Sequence, residues 1–260
     1  MPRQARIQSP TNYYHVMMRG NNREPIFNGD KEKKYFLDAL QDQNEDNMVD
    51  IAAYCLMNNH VHIIVKADLI NLANAIKSVN TTYAMHFNRL RDRVGHVFQD
   101  RYKSRAINDE NYLLRVIRYV HNNPVKAKMV KLPDEYKWSS YNEYKKKSSS
   151  ILGNQRAFIM GFFDNNLERF AEFHRQSDDN EYLEVKEDIE KIRFEQAQKI
   201  IAEYFSRKGL VDAKQVARNT VYMEEIIENL LKRSRLTHRQ IAGLLQVSNS
   251  TVHSLSANKK

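Results

Sequence analysis

Two apolar runs, residues 49–57 and 61–65, are separated by little more than Asn58-Asn59. A parallel pair of strands needs a crossover of about a dozen residues. The spacing therefore predicts an antiparallel hairpin at the centre of whatever the first half of the chain builds. Segments on either side fit around it. Tyr13-Tyr14-His15-Val16-Met17-Met18 is rich in strand formers and stops at the turn cluster Arg19-Gly20-Asn21-Asn22. Residues 31–45 carry Tyr35, Phe36, Ala39 and Leu40 on one helical side, with Asp30 placed to cap the start. Leu72, Ile76, Val79, Tyr83, Phe87 and Leu90 recur at spacings of three and four, the stripe of a long amphipathic helix.

Gly95 interrupts that helix, and residues 97–107 resume a strand-like pattern. Asn108-Asp109 offers an N-cap for a helix from Glu110 to about Asn122, which Pro124 is expected to end. The order β-α-β-β-α-β-α predicts an α+β domain with a largely antiparallel central sheet and packed helices over residues 1–147. The polar stretch Lys145 to Ser150 marks the expected boundary. An acidic helical connector is expected over 148–189 and an all-α domain over 190–260. Helices are expected from Asn166 to Arg175 and from Glu184 to Phe205, the latter stopped by Gly209.

Charge narrows the partners. The chain has 260 residues, a formal net charge of +9 and a sequence pI near 9.4. By segment the balance is +8 over 1–147, −5 over 148–228 and +6 over 229–260. Two basic ends around an acidic middle favour two surfaces for a polyanion, nucleic acid first. The acids Asp178, Asp179, Glu181, Glu184, Glu187, Asp188 and Glu190 form either a spacer or a cover over a basic cleft. No apolar run approaches the roughly 20 residues of a membrane-spanning helix. The start, Met1-Pro2-Arg3, predicts no secretory leader, so a cytoplasmic, nucleoid-associated protein is expected. One cysteine, Cys55, excludes an internal disulfide and a multi-cysteine zinc site; it and Met57 read as core.

Residues 236–256 read as a helix-turn-helix. Thr237-His238-Arg239-Gln240 fits a capping box, with Ile241, Leu244 and Leu245 inward. Gln246-Val247-Ser248-Asn249 makes the turn, and Ser248 caps a second helix carrying Thr251, Val252 and Leu255. In such a motif the start of the second helix enters the major groove, here Asn249, Ser250 and His253. The segment resembles duplex-reading modules such as the C-terminal domain of the replication initiator DnaA. Two short helices with a tight turn also occur in ordinary helical packing.

Two elements carry possible chemistry. In His60-Val61-His62, strand alternation turns both imidazoles to one face. Such a pair can bind a divalent metal, although two ordinary histidines are the commoner reading of so short a motif. In Arg118-Tyr119-Val120-His121-Asn122-Asn123-Pro124, Tyr119 and Asn123 are four apart and share a helical face. Leu113, Val116, Ile117 and Val120 form the adjacent apolar face, so Tyr119 also reads as packing. His121 faces away from Tyr119, toward a structural or DNA-contact role. Arg89, Arg91, Arg93, Arg101, Lys103 and Arg105 cluster around residues 95–103, and Arg101, Lys103 and Arg105 are expected to share a strand face that either tracks phosphates or is a solvated charged surface.

Five blocks occur in order: Tyr14-His15-Val16 with Arg19-Gly20-Asn21-Asn22-Arg23, Tyr54 to His62, Gly95 to Lys103, Tyr119 to Ala127, and Trp138-Ser139-Ser140-Tyr141. Together they resemble the REP-associated tyrosine transposases of the HUH single-tyrosine superfamily, over roughly residues 1–145 with a weaker echo to 176. The resemblance implies a ferredoxin-like sheet with His60 and His62 as metal ligands, Asn123 as the third ligand, and Tyr119 as nucleophile. It implies Mg²⁺ or Mn²⁺, which accept an amide oxygen. It further implies cleavage and rejoining of single-stranded hairpin DNA through a 5′-phosphotyrosine. Arg19, Asn21, Asn22 and Arg23 would then help read a tetranucleotide beside the hairpin. Two rivals stand beside this reading: a non-catalytic DNA-binding regulator that keeps the fold, and a related nuclease that initiates replication.

Overall fold

The structure, a computed structural model, describes residues 6–176, 182–183, 186–210 and 219–257, and the side chains of 186–192 and 257 fall outside that description. Asp178, Asp179, Glu181 and Glu184, and the side chains of Glu187, Asp188 and Glu190, therefore lie outside the described residues. The chain divides into two compact units, Met1–Leu183 and Glu184–Lys260.

In the first unit, β1 (Tyr13–Arg19), β2 (Asp50–Leu56), β3 (His60–Lys66) and β4 (Lys103–Ile107) form one sheet in the order β2-β3-β1-β4. Every neighbouring pair is antiparallel. With α1 (Asp30–Glu45) and α2 (Leu69–Leu90), this is the βαββαβ order and strand arrangement of a ferredoxin-like domain. The register puts Tyr13, His15 and Met17 of β1, His62 and Ile64 of β3, and Lys103 and Arg105 of β4 on one face. Val61, Ile63 and Val65 point to the other face and are fully buried, where α1 and α2 pack on each other through Phe36 and Tyr83. Each such aliphatic side chain contributes about 1.5–3 kcal/mol by leaving water.

The first face is covered by α3 (Glu110–Lys126), which packs on β2, β3 and β4. Leu113, Val116, Ile117 and Val120 are buried as the sequence pattern requires, and Asp109 caps the start by accepting from the Tyr112 N–H at 2.7 Å. Pro124 does not end this helix. The turn continues to Lys126, with the Ala127 N–H donating to the Asn123 carbonyl at 2.9 Å. The missing Pro124 N–H would have served Val120; the Asn123 side-chain amide lies 3.5 Å from that carbonyl instead.

Other expectations are corrected by tertiary contacts. Asp30 is the first helical residue and caps nothing; its carboxylate accepts from Lys137 Nζ at 2.7 Å and Trp138 Nε1 at 2.8 Å. Leu90 is 58% exposed rather than part of the buried stripe. Only Lys103–Ile107 of the 97–107 run is strand, paired with Tyr13–Met17, while Phe98 makes an isolated bridge to Gly20. The polar stretch at 145–150 is not where the compact units part. Ile151, Leu152, Ile159, Met160, Phe163 and Phe170 beyond it join the same core. They lie in or beside α4 (Tyr141–Lys145), α5 (Gly153–Gly161) and α6 (Leu167–Arg175).

The Trp138-Ser139-Ser140 block covers the outer edge of β2. The Leu56 N–H donates to the Trp138 carbonyl and the Ser140 N–H to the Tyr54 carbonyl, both at 2.9 Å. An unpaired strand edge is thereby closed.

The second unit is helical: α7 (Lys186–Lys208), α8 (Thr220–Ser234), α9 (His238–Leu245) and α10 (Asn249–Ala257). Tyr204, Ile226, Leu230, Ile241, Leu245 and Val252 are among its buried core. Gly209 takes φ +66° just after α7, the left-handed stop expected there. Among the described residues no helix is long and apolar enough to cross a membrane.

Candidate active site

His60 and His62 share the β3 face, with ring centroids 5.1 Å apart and planes nearly perpendicular. His60 Nδ1 hydrogen-bonds Asn59 Oδ1 at 2.8 Å, and His62 Nδ1 hydrogen-bonds His15 Nε2 at 2.9 Å. With both Nδ1 atoms engaged, Nε2 is the nitrogen of each ring that a metal would have to take. His62 is 2% exposed. Burial holds it well below the ordinary histidine range, reinforced by His60, His15 and Lys126. His15 is pushed down to about 3 by burial, with Arg105 adding to the effect. Both rings are thus neutral at pH 7, the form in which imidazole ligates metals.

From the facing helix, the Tyr119 ring approaches His62 at 5.6 Å and His15 at 5.8 Å, edge on in both cases. Tyr119 is 3% exposed. Lys126, two turns on, holds Nζ 4.5 Å from the centre of the Tyr119 ring. Asn123 uses its amide nitrogen on the helix itself, donating to the Tyr119 carbonyl at 2.9 Å. Those contacts leave its Oδ1 unused, and an amide oxygen is a donor that suits Mg²⁺ or Mn²⁺. Among the described residues no three His, Cys, Asp or Glu side chains form a metal group.

Three of the sequence blocks meet beside this site. The Gly20 N–H donates to the Asn59 carbonyl at 2.8 Å, the Asn21 N–H to Val97 at 2.9 Å, and the Gln99 N–H to Arg19 at 2.9 Å. A Cβ on Gly20 would lie 2.2 Å from the Glu24 carbonyl oxygen, so only glycine fits there. Asn21, Asn22 and Arg23 form a short 3₁₀ turn in which Asn22 and Arg23 are exposed. Arg19 differs from the expectation: it is the last residue of β1, 9% exposed, not part of the loop.

The basic cluster divides. Lys103 and Arg105 are exposed on the face of β4 that also carries the histidines, whereas Arg101 lies before the strand and shares no face with them. Arg91 and Arg93 are engaged elsewhere, with Glu32 at 2.6 Å and Glu24 at 3.5 Å. Cys55 and Met57 are buried core, as expected.

His121 is fully buried and has no access to DNA. Its hydrogen bonds have one consistent direction. His174 Nδ1 donates to the Phe170 carbonyl at 2.8 Å, so His174 Nε2 accepts from His121 Nδ1 at 2.9 Å. His121 Nε2 then accepts from Ser140 Oγ at 2.8 Å, and Ser140 Oγ accepts the Tyr54 N–H at 2.9 Å. The chain ties β2, α3 and α6 together and fixes the helix that carries Tyr119.

Sequence reasoning missed three neighbours of Tyr119. His15 is readable as a strand residue, but its meeting with His62 depends on the β1–β3 register. Lys126 follows Tyr119 by seven residues, a helical spacing that points to the same face. Tyr182 stacks on Tyr119 at 4.4 Å and 20°, and on Tyr112 at 6.2 Å and 9°. Nothing local in the sequence announces a contact across more than sixty residues.

In the second unit, Thr237 and Gln240 form the expected capping box, Gln246 turns left-handed, and Ser248 Oγ accepts the Thr251 N–H at 3.0 Å. Asn249, Ser250 and His253 are exposed at the start and along α10.

Comparison with known proteins gives three findings. Residues 8–123 match the family of IS200-like transposases. A structure of a REP-associated tyrosine transposase bound to a REP hairpin is 16% identical and aligns over 56% of this chain and 87% of that one, with a TM-score of 0.48. A candidate transposase from Deinococcus radiodurans is 16% identical and aligns over 47% of this chain and 95% of that one, with a TM-score of 0.32. No curated protein matches.

Proposed function

We propose, from the match of residues 8–123 to the IS200-like transposase family, that this chain is a metal-dependent transposase that cleaves and rejoins single-stranded, hairpin-forming DNA of the REP type through a 5′-phosphotyrosine. The observation that carries the reading is the approach of the Tyr119 ring to His62, which shares its strand face with His60. His60, His62 and Asn123 are the residues that would hold Mg²⁺ or Mn²⁺. When bound, the ion supplies Lewis-acid activation of the scissile phosphate and neutralises its charge.

Tyr119 does the covalent work. Its phenol oxygen forms a bond to phosphorus, the bond from phosphorus to the 3′ oxygen breaks, and the phenol's proton balances the released 3′-hydroxyl. A phenol has an ordinary pKa of about 10, so charge must be stabilised on the attacking oxygen. The Lys126 ammonium above the ring favours that negative charge. The phosphotyrosine conserves the phosphodiester's energy, so a free 3′-hydroxyl can reverse the step and join strands. Lys103 and Arg105, beside the histidines, would hold neighbouring phosphates, and Asn21, Asn22 and Arg23 would contact bases next to the hairpin. Asn249, Ser250 and His253 would read duplex DNA separately.

The test uses a labelled hairpin with a single-stranded flank, in Mg²⁺ or Mn²⁺. A denaturant-stable protein–DNA adduct is expected from the wild type, none from Tyr119→Phe, and none in excess EDTA. An adduct of equal yield from Tyr119→Phe would remove Tyr119 as nucleophile. Hairpin binding without any adduct would favour the non-catalytic regulator.

A further inference from the structure

We propose that His15 is a positioning residue for metal binding, acting through His62; the proposal rests on the metal-binding reading of His62 given above. His15 comes from a different strand, is fully buried, and places Nε2 2.9 Å from His62 Nδ1. A hydrogen bond between two ring nitrogens needs one donor and one acceptor. For His62 to offer a lone pair at Nε2, its hydrogen must sit on Nδ1, and His15 Nε2 must then be the acceptor. His15 thereby fixes both the tautomer and the ring plane of His62, the role that second partners of ligating histidines commonly have.

A packing role alone does not account for this side chain. The position is enclosed between β3, β4 and α3, and an apolar ring would fill it without a polar atom left over. Instead His15 Nδ1 is buried with no hydrogen-bond partner among the described residues. Burying a polar atom unpaired is unfavourable. The fold accepts that cost where the other nitrogen of the same ring meets His62. The His15 ring also borders Tyr119 at 5.8 Å, so one side chain touches both the histidine and the tyrosine of the site. His60 has a counterpart partner in Asn59 Oδ1, so that Nδ1 is engaged in both histidines.

The experiment uses the full chain and two readouts. In the metal-free protein, nitrogen-15 NMR of the imidazoles reports the His62 tautomer. The wild type is expected with hydrogen on Nδ1, and His15→Phe with the population shifted toward Nε2. A wild-type His62 already carrying hydrogen on Nε2, or a tautomer unmoved in His15→Phe, overturns the proposal. The second readout is Mn²⁺ affinity by titration calorimetry or electron paramagnetic resonance. His15→Phe is expected to bind Mn²⁺ about 10–100-fold more weakly. His15→Gln, whose amide oxygen can accept the Nδ1 hydrogen, is expected to stay within a few-fold of wild type. A merely structural role would not produce that rescue. Equal Mn²⁺ affinity in wild type and His15→Phe would sink the positioning role while leaving the metal site intact. Absence of Mn²⁺ binding in the wild type would sink the metal reading and this proposal with it. Should His15→Phe fail to fold, the wild-type tautomer and His15→Gln still decide.

Discussion

The ring of Tyr182 lies on the ring of Tyr119, with centroids 4.4 Å apart and planes 20° from parallel. It therefore covers the ring of the proposed nucleophile and is itself stacked with Tyr112, with centroids 6.2 Å apart. Stacked aromatic pairs contribute about 0.5–1.5 kcal/mol each beyond their burial. Substrate entry must displace Tyr182 or reach the phenol past it. Tyr182→Ala is expected to raise the initial rate of covalent adduct formation on a hairpin substrate by roughly 2–13-fold, the factor that one such contact represents. An unchanged or lower rate would show that Tyr182 supports the reactive position of Tyr119 rather than covering it.

Asn123 has two jobs that substitutions separate. Its amide nitrogen bonds the Tyr119 carbonyl and lies near the Val120 carbonyl that Pro124 leaves unserved, while its oxygen is the proposed ligand. Asn123→Ala is expected to lose at least 10-fold in Mn²⁺-dependent adduct yield, in line with loss of one ligand. Asn123→Asp retains an oxygen and is expected to keep or increase Mn²⁺ affinity. If calorimetry shows Asn123→Ala binding Mn²⁺ as wild type does, the ligand assignment is wrong and only the helical role remains.

These cases show what one chain discloses before its fold is known. The hairpin around Asn58-Asn59, the β3 alternation of His60 and His62, and the α3 stripe were legible because each depends on spacing within one element. Pro124 misled because its usual effect on a helix is local, whereas the Asn123 amide and the packing of α3 on the sheet are tertiary compensations. Asp30 looked like a cap by position, yet Lys137 and Trp138 claim its carboxylate from more than a hundred residues away. His15 and Tyr182 were illegible as site neighbours for the same reason: strand register and long-range packing decide them.

Gly20 supports the loop that the proposal assigns to base contacts. A methyl group there would meet the Glu24 carbonyl oxygen at 2.2 Å and Ile26 Cγ2 at 2.8 Å, both part of the turn's own frame. Gly20→Ala is expected to destabilise the first unit by about 1–3 kcal/mol, the usual cost of overpacking. It should also weaken single-stranded hairpin binding more than duplex binding. Urea denaturation and paired binding assays check the two parts; equal loss on both DNAs would indicate general unfolding instead.

Acid should weaken the first unit through its buried histidines. Burial pushes His174 down to about 4, partly opposed by its bond to the Phe170 carbonyl, and holds His121 well below the ordinary range. Unfolded histidine titrates near 6.5, so below that pH the unfolded chain binds protons that the folded chain refuses. Stability is thus fully present above about pH 6.5 and is lost as pH falls toward 4. His174 alone corresponds to about 3 kcal/mol across that window. Urea midpoints at pH 7, 6, 5 and 4 are expected to fall steadily. His174→Gln should flatten part of that slope, and an unchanged slope would place the acid sensitivity in other groups.

The basic end of the chain permits a test independent of the chemistry. Asn249, Ser250 and His253 are exposed on α10, in a unit that is compact without the catalytic residues. Substituting all three with alanine removes base-edge contacts but none of the lysines and arginines after Leu230. Duplex affinity for a preferred sequence is expected to drop by about 10-fold or more, since each good base contact carries about 1–3 kcal/mol. The slope of affinity against salt should stay nearly constant, because that slope counts phosphate contacts. Adduct formation on the single-stranded hairpin should also stay unchanged. A variant that loses salt dependence together with affinity would show these residues acting on the backbone. One that loses adduct formation as well would show the helical unit taking part in cleavage.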